Sequence, residues 1–188
     1  LTGTLSTVYL AGSRGVYAYS AGAWTPINPG PDAPQGTIRD LWSDGFDTLW
    51  MVGDAGRIRR WVASQITVFD QDGSDLLAVH GSHGADVWAV GRKGRVAHFD
   101  GEIFFDFLPR VRHDLHGVHG ADPANAWAVG DAGAALSWDG DRWQVLGEGV
   151  NVDLRAVRST GSGPVIAGGL HTVILGPFLD IPRSVNPT

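Results

Sequence analysis

Short apolar runs separated by turn residues follow one another along the whole chain. Residues 115–146, "LHGVHGADPANAWAVGDAGAALSWDGDRWQVL", contain four such runs, which are rich in Val, Leu and Trp and bounded by Gly, Asp and Pro. Runs of this kind predict β-strands, and the 3.6-residue periodicity of an amphipathic helix is absent over any useful length. The sequence therefore predicts an all-β fold with negligible helix.

The pattern of runs recurs with a period of about 39 residues. A glycine closes a "WAVG"-like run in five copies, at Gly12, Gly53, Gly91, Gly130 and Gly168. A second glycine follows three residues later in the first four copies, and His171 takes this place in the fifth. Four antiparallel strands per repeat are typical of a β-propeller blade. We expect a single domain, 1–188, of about five blades, with repeats near 1–37, 38–75, 76–114, 115–153 and 154–188.

Each copy contains four predicted strands, labelled a to d, which in the fourth copy are "LHGVHG", "AWAVG", "AALSWD" and "RWQVL". The "GDAG" turn predicts a tight b–c hairpin with glycine at positive φ, and Asp100-Gly101 and Asp139-Gly140 predict two-residue c–d hairpins. Stacked blades bury both faces of a sheet, which explains strands that are apolar throughout. Equivalent aromatic residues support the register: Trp50, Trp88 and Trp127 in strand b, and Trp61, Phe99 and Trp138 in strand c. We expect Trp88 and Trp127 to be equally important to the core.

The segment "LHGVHG…AWAVGDAGAALSWDGDRW" resembles the blade repeat of photosystem II assembly-factor-like (BNR-type) propellers. It is also similar to tectonin-type and other bacterial propeller lectins. The resemblance covers nearly the whole chain, most clearly residues 38–146, and it implies a fold rather than a function. The "S-x-D-x-G-x-T-W" Asp box of sialidase-like repeats is replaced by "SWDGDRW" or "HFDGEIF", which lack the Thr. This departure weakens any transfer of sialidase chemistry.

The predicted strands number nineteen, one fewer than five complete blades need. The first copy enters at strand b, with only Leu1 to Gly3 as a remnant of strand a, and "FLDIP" (Phe178 to Pro182) falls where the last strand d belongs. An unpaired inner edge is a template for another strand. Two alternatives follow: Leu1 to Thr4 supply the missing strand, or the chain is an arc of a larger propeller. Self-association or pairing with a second chain at this open seam follows from the same edge.

The charge balance argues against a nucleic-acid partner. The chain of 188 residues has a formal net charge of −6 and shows no basic face, which nucleic-acid binding normally requires. Its densest basic run, "RIRRW" (Arg57 to Trp61), would place its arginines on opposite faces of a strand, which leaves an anion site there as a minor alternative.

The absence of cysteine excludes disulfides, thiolate metal sites and cysteine nucleophiles. No apolar stretch approaches the roughly 20 residues of a membrane span. The chain begins at Leu1 without a signal peptide, which indicates a processed chain or a piece of a longer one. The compartment stays open, and we favour the extracellular space or the cell envelope of a bacterium.

One equivalent position of strand a supplies the candidate ligand-binding residues. These residues are Trp42, His80, His119 and Arg158, which would lie near the propeller axis. They either fill blade interfaces or bind a ligand in a central channel. His113, His116 and His119 are spaced by three residues and cannot converge on one metal ion from a single strand, although His80 and His119 of adjacent blades could approach each other. We expect no metal and no cofactor.

The b–c hairpin tips supply a candidate partner-facing rim. Its residues are Arg14, Asp54, Arg92, Lys93 and Asp131. They are either ordinary solvated turn residues or a recognition surface, because loops on a rigid scaffold commonly bind partners. The mixed charge favours a protein or carbohydrate partner.

The sequence does not predict an enzyme. Glycoside hydrolysis needs two carboxylates about 5–9.5 Å apart, yet most acidic residues here lie in turns, and Asp106 comes nearest to an acid inside an apolar strand. The leading hypothesis is a non-catalytic scaffold for protein–protein interaction. The alternative is a propeller lectin, for which Tyr17, Tyr19 and Trp24 are candidates, although Trp24 and Trp143 also fit the core of strand d. Glycoside hydrolysis is the third alternative.

Overall fold

A computed structural model describes residues 2–3, 7–12, 15–27, 37–69, 73–147, 152–159, 165–169 and 172–175. These residues form nineteen β-strands in five antiparallel sheets, joined in three places by a 3₁₀ turn of three residues. The prediction of an all-β fold with negligible helix is confirmed. In the described part of the chain, no helix has the length and apolar character needed to cross a membrane.

The strands follow the order of the repeats. The first sheet consists of β1 (Thr2–Gly3), β2 (Val8–Gly12), β3 (Gly15–Ser20) and β4 (Ala23–Ile27). The second consists of β5 (Ile38–Ser43), β6 (Thr48–Gly53), β7 (Ile58–Val62) and β8 (Gln65–Val68). The third consists of β9 (Leu76–His83), β10 (Asp86–Gly91), β11 (Val96–Phe99) and β12 (Phe104–Phe107). The fourth consists of β13 (Leu115–Asp122), β14 (Asn125–Gly130), β15 (Ala135–Trp138) and β16 (Trp143–Gly147), and the fifth of β17 (Leu154–Ser159), β18 (Val165–Gly169) and β19 (Thr172–Leu175).

Each sheet is a blade in which the strands pair in chain order, a to b to c to d. Consecutive blades pack face to face, and the first strands of blades 2 to 5, β5, β9, β13 and β17, contact one another in turn. Strand a is therefore innermost, and the chain forms a β-propeller. The predicted division of each repeat into four strands is confirmed for blades 2, 3 and 4.

The hydrophobic core lies between the blades. Every residue of β6 and β10 is buried, as the continuously apolar strands predicted. Aromatic rings bridge neighbouring blades: the Trp50 ring lies 4.8 Å from that of Phe99, and the Trp88 ring lies 5.1 Å from that of Trp138. The free energy of burial is thus distributed over the interfaces rather than concentrated in one central core.

The tryptophans of strand b are not equivalent in burial. Trp88 is fully buried and packs against His98 of its own blade and against Trp138 and Trp143 of the next. Trp127 is only half-buried. The two tryptophans thus differ in burial, which argues against an equal contribution to the core. Among the described residues, the buried cluster beside Trp127 consists of Val129, Ala135, Leu154 and Val157.

The position that ends strand b requires glycine because the backbone that precedes strand a lies very close to it. An added Cβ at Gly130 would lie 2.0 Å from the carbonyl oxygen of Asp114, and Gly53 and Gly91 have the same environment. The ladder places Gly169 in this position of the fifth blade, where it pairs with Leu154. The sequence alignment on Gly168 and His171 is therefore wrong by one residue.

The hairpin turns follow the prediction only in part. Gly56, Gly94 and Gly133 have the expected positive φ of 73° to 75° at the b–c tips. The c–d loops are not two-residue Asp-Gly turns, because Phe99 pairs with Phe104 and leaves four residues between them. The carboxylate of Asp100 instead accepts hydrogen bonds from the backbone N–H groups of residues 102 and 103, and Asp139 does the same in blade 4.

The first blade has a short inner strand. Thr2 pairs with Tyr9 and Gly3 with Val8, so the start of the chain supplies the strand that the sequence count lacked. The total of nineteen strands is matched by a different distribution, with four strands in the first blade and three described in the fifth. The segment expected to form the last strand d, 178–182, and the tail 183–188 lie outside the described residues. The arc of a larger propeller stays a prediction.

Candidate functional site

A β-bulge recurs near the start of the inner strand in four blades. Ile38 pairs with Gly53 and Asp40 with Val52, which leaves Arg39 as the extra residue. The equivalent extra residues are Leu77, His116 and Arg155. A bulge redirects the side chain that it carries, and all four residues line the central channel. Sequence reasoning missed this set, whose only signal is its constant place directly after the first apolar residue of strand a.

The channel is a cavity of about 460 Å³ bounded by the inner strands of blades 2 to 5. The bulge residues lie toward the b–c tips. Three residues further along the strands, the lining contains Trp42, His80 and Arg158. The channel therefore has two polar ends, and the level between them is formed by Asp40 and by the small residues Ala78, Gly117 and Ala156.

The four predicted ligand-binding residues share one position in the ladder and come together in space. Trp42, His80, His119 and Arg158 pair with Trp50, Trp88, Trp127 and Ile166 of their own blades. The His80 ring lies 4.2 Å from the His119 ring and 5.6 Å from the Trp42 ring. A guanidinium nitrogen of Arg158 lies 3.2 Å from Nε2 of His80. The sequence located this cluster, and the structure supplies its geometry.

Both histidines of the cluster are held neutral. Burial lowers the pKa of His80 to about 3, and the neighbouring His119 and the positive charge of Arg158 act in the same direction. Burial and Arg158 also lower the pKa of His119. The imidazole rings therefore act as neutral hydrogen-bonding groups around a permanently charged guanidinium.

The stability of the protein should depend on pH because these histidines are neutral in the folded state. We expect the free energy of unfolding to fall as pH decreases from about 6.5 toward 3, because unfolded His80 binds a proton that folded His80 rejects. One such histidine contributes a limiting slope of about 1.4 kcal/mol per pH unit. Urea denaturation across this range should show a shallower slope for His80→Gln/His119→Gln. Equal slopes for this variant and the parent protein would show that the rings are protonated in the folded state.

The sequence analysis did not identify Asp40, an acidic residue inside an inner strand, as a candidate. Asp40 lines the channel, and its carboxylate accepts a hydrogen bond of 2.9 Å from the backbone N–H of Val79 in the next blade. Burial raises the pKa of Asp40, against the opposing effect of its backbone hydrogen bonds. The earlier choice of Asp106 is wrong, because that side chain is exposed and forms an ion pair with Arg95. Within "IRDLW" this half-buried acid carries no sequence signal beyond its place in a strand.

The predicted rim residues at the hairpin tips belong to an ion-pair belt. Arg39 contacts Asp54 and Asp75, and Arg92 contacts Asp75 and Asp114. On blades 4 and 5, Asp131 contacts His116 and Arg155. Arg92 and Asp131 thus form ion pairs between blades and Asp54 forms one within its own blade, whereas the side chain of Lys93 is exposed. Arg14 lies outside the described residues.

The acidic residues of the belt also form hydrogen bonds with the backbone, which join blades 2 to 5 in turn. Asp75 accepts a hydrogen bond from the N–H of Ala55, Asp114 from that of Lys93, and Asp153 from that of Ala132. Each acid directly precedes the inner strand of its blade, and each N–H belongs to the hairpin tip of the preceding blade. These contacts favour a structural role for most of the rim.

The described residues hold a Ser, Asp and His set without the connectivity of a catalytic triad. Asp86 is buried, and its two carboxylate oxygens contact Ser82 and His98 separately. A nucleophilic serine needs the histidine between itself and the acid. Here the acid lies in the middle, so His98 contacts Asp86 and not the serine hydroxyl.

The remaining histidines lie apart. His116 contacts Asp131 at the tip end of the channel, His119 lies beside His80 at the other end, and His113 is exposed. Among the described residues, no group of three or more His, Asp or Glu side chains is placed to hold a metal ion.

The aromatic residues considered for sugar binding lie on the outer face of blade 1. The Tyr19 and Trp24 rings are 5.1 Å apart, and Trp24 is 49% exposed, so it is not a core residue. Trp143 does pack into the core against Trp88. Tyr17 is half-buried on strand β3.

Comparison with known proteins supports the fold. No family model and no curated protein matches the sequence. A chain of the mitotic checkpoint complex aligns with a TM-score of 0.76 and 16% identity, over 90% of this chain and 56% of that chain. YCF48 from Cyanidioschyzon merolae aligns at 0.67 and 17%, over 90% and 65%, and YCF48 bound to a D1 peptide at 0.64 and 10%, over 88% and 58%.

These neighbours are β-propeller proteins. The present chain spans between 56% and 65% of their length. At identities of 10% to 17% the similarity shows the shared fold and does not transfer residues or partners.

Proposed function

We propose that the protein is a non-catalytic binding protein whose propeller holds a segment of a partner protein in its central channel. The observation that carries this proposal is the channel itself. Its lining combines the Trp42 ring, the neutral imidazole of His80, and arginines on rigid inner strands. Concave sites that present a few fixed polar groups are the usual form of a ligand-binding site.

Two further observations support binding over catalysis. Asp40 is the one acid among the channel-lining residues that the structure describes, whereas glycoside hydrolysis needs a pair. A propeller of the same fold, YCF48, has been solved with a D1 peptide bound. The likeness is one of fold, and it supports protein segments as a class of ligand for this architecture.

A peptide-display selection tests the proposal. Peptides enriched on the parent protein should bind at least about tenfold more weakly to Trp42→His, because loss of a central aromatic anchor typically costs about 2 kcal/mol or more. Histidine already occupies the equivalent position of blades 3 and 4, so this substitution respects the repeat. The matched control is Trp24→Ala on the outer face, which should leave peptide binding unchanged. Selected peptides that bind both variants alike would contradict a channel site.

Carbohydrate binding is the second candidate function. It rests on the exposed Tyr19–Trp24 pair, since sugars stack on exposed aromatic rings. A glycan array distinguishes the two: a lectin would retain a glycan with Trp42→His and lose it with Trp24→Ala. We expect no glycan to depend on Trp24.

A further inference from the structure

His80 faces a hydrogen-bond donor at each of its two ring nitrogens. The backbone N–H of Gly120 points at Nδ1 over 3.3 Å, and the guanidinium of Arg158 lies 3.2 Å from Nε2. A neutral imidazole accepts at one nitrogen only and donates at the other. Either tautomer therefore leaves two donors facing each other.

The fixed position of the Gly120 N–H group determines which ring nitrogen of His80 carries the proton. The N–H of Gly120 is fixed in the ladder of β13, so Nδ1 is the nitrogen that accepts and Nε2 carries the proton. The N–H of Nε2 and the N–H groups of Arg158 then point into the same region of the channel. The guanidinium of Arg158 is exposed to the channel, so a negatively charged acceptor at this place would receive hydrogen bonds from both groups.

The other end of the channel contains a second Arg–His contact, which includes a carboxylate acceptor. Arg155 contacts Nε2 of His116 at 2.6 Å, and the carboxylate of Asp131 lies 2.7 Å from that nitrogen and 3.5 Å from the guanidinium. Arg155 precedes Arg158 by three residues on β17. The protein thus completes one Arg–His pair with a carboxylate, whereas Arg158 has no ion-pair partner among the described residues.

We propose that the His80–Arg158 pair, flanked by Trp42 and His119, is a subsite for a carboxylate of the bound peptide segment. A carboxylate offers two oxygens, one for the Nε2–H of His80 and one for the guanidinium fork. The carboxylate of Asp40 interacts electrostatically with Arg158. A monoanion is therefore favoured over a phosphate dianion, which Asp40 would repel more strongly.

The low pKa of His80 makes binding measurable. Burial, His119 and the charge of Arg158 keep the ring neutral in the protein alone. A carboxylate within hydrogen-bond distance favours the charged imidazolium. Binding should therefore raise the pKa of His80, which gives the site a signature that a structural role of the same residues would not produce.

The experiment follows the ring nitrogens of ¹⁵N-histidine-labelled protein by NMR. The probes are acetate, N-acetyl-dialanine with a free carboxylate, and the corresponding amide. The acid should shift the His80 and His119 signals saturably and raise the pKa of His80, whereas the amide should not. Acid and amide that act alike would overturn the carboxylate subsite.

Substitutions locate the binding site. Arg158→Gln should weaken binding of the acid by about tenfold or more, the usual effect of losing a hydrogen bond between charged groups. Arg142→Gln, which removes the same charge from an exposed side chain on the outer part of blade 4, should change it by less than about twofold. His80→Gln is the second test variant, because it leaves every charge in place. Equal affinities of the Arg158 and Arg142 variants would contradict the site.

The inference rests on the proposed function but can fail separately from it. Selected peptides that need Trp42 yet bind equally as acids and amides would leave the peptide site standing and remove the carboxylate subsite. Acetate that binds as tightly as the peptide acid would assign the subsite to free carboxylates and argue against the peptide as its source.

Discussion

Replacing Trp88 with alanine will lower the free energy of unfolding by about 3–5 kcal/mol, the usual cost of removing a large aromatic side chain from a core. Trp88 is fully buried and stacks on His98 at a ring separation of 3.8 Å while contacting Trp138 and Trp143 of the next blade. The rigid strands around it cannot collapse into the space, so the cavity remains. Urea denaturation monitored by far-UV circular dichroism measures the change.

Two matched variants make this prediction specific. Trp127→Ala alters the same ladder position one blade further on, and it should cost clearly less because Trp127 is only half-buried. Trp24→Ala removes an exposed ring and should cost least. If Trp88→Ala and Trp127→Ala are equally destabilising, burial at the blade interfaces does not govern the stability of this protein.

Replacing Gly130 with alanine will destabilise the protein by about 3 kcal/mol, at the upper end of the usual cost of inserting a carbon atom into a closely packed region. The φ of Gly130 is −164°, which any residue adopts, so the cost does not come from backbone strain. It comes from a Cβ placed 2.0 Å from the carbonyl oxygen of Asp114. That backbone is held by the adjacent bulge and cannot move away without breaking the ladder. Thermal and urea denaturation both report the loss.

Gly12 provides the control for this prediction. It ends strand b of the first blade as Gly130 ends that of the fourth, but an added Cβ there would meet nothing within 4 Å. Gly12→Ala should therefore be neutral or slightly stabilising, since alanine restricts the unfolded chain more than glycine does. A similar loss for both variants would attribute the effect to strand b itself rather than to the close approach of strand a.

Local sequence patterns were sufficient to predict the architecture. Strand-length apolar runs, Gly and Asp turns and equivalent tryptophans predicted the blade and its four strands, because each of these signals acts over a few residues. The position of Trp42, His80, His119 and Arg158 followed from the repeat alone. The errors arose where the fine register mattered, as with Gly168 in place of Gly169, since a sequence pattern does not show which residue a bulge skips.

The contacts between blades could not be predicted from the sequence. Whether Arg92 faces a partner or joins Asp75 and Asp114 depends on how far each blade is rotated against the next, and no local pattern encodes that rotation. The same holds for the burial of Asp40 and for the different surroundings of Trp88 and Trp127.

The sequence by itself determined the repeat, the strand order within a blade and the column of residues that faces the axis, because alternation along a strand assigns side chains to faces without reference to distant residues. Only the tertiary structure decided that a bulge turns Arg39, His116 and Arg155 into the channel. It also decided that Asp131 completes one Arg–His pair, while no carboxylate of the described residues forms an ion pair with Arg158. Those facts depend on groups from different blades meeting around one axis. Their distances are set by the packing of whole sheets and not by any segment of the chain.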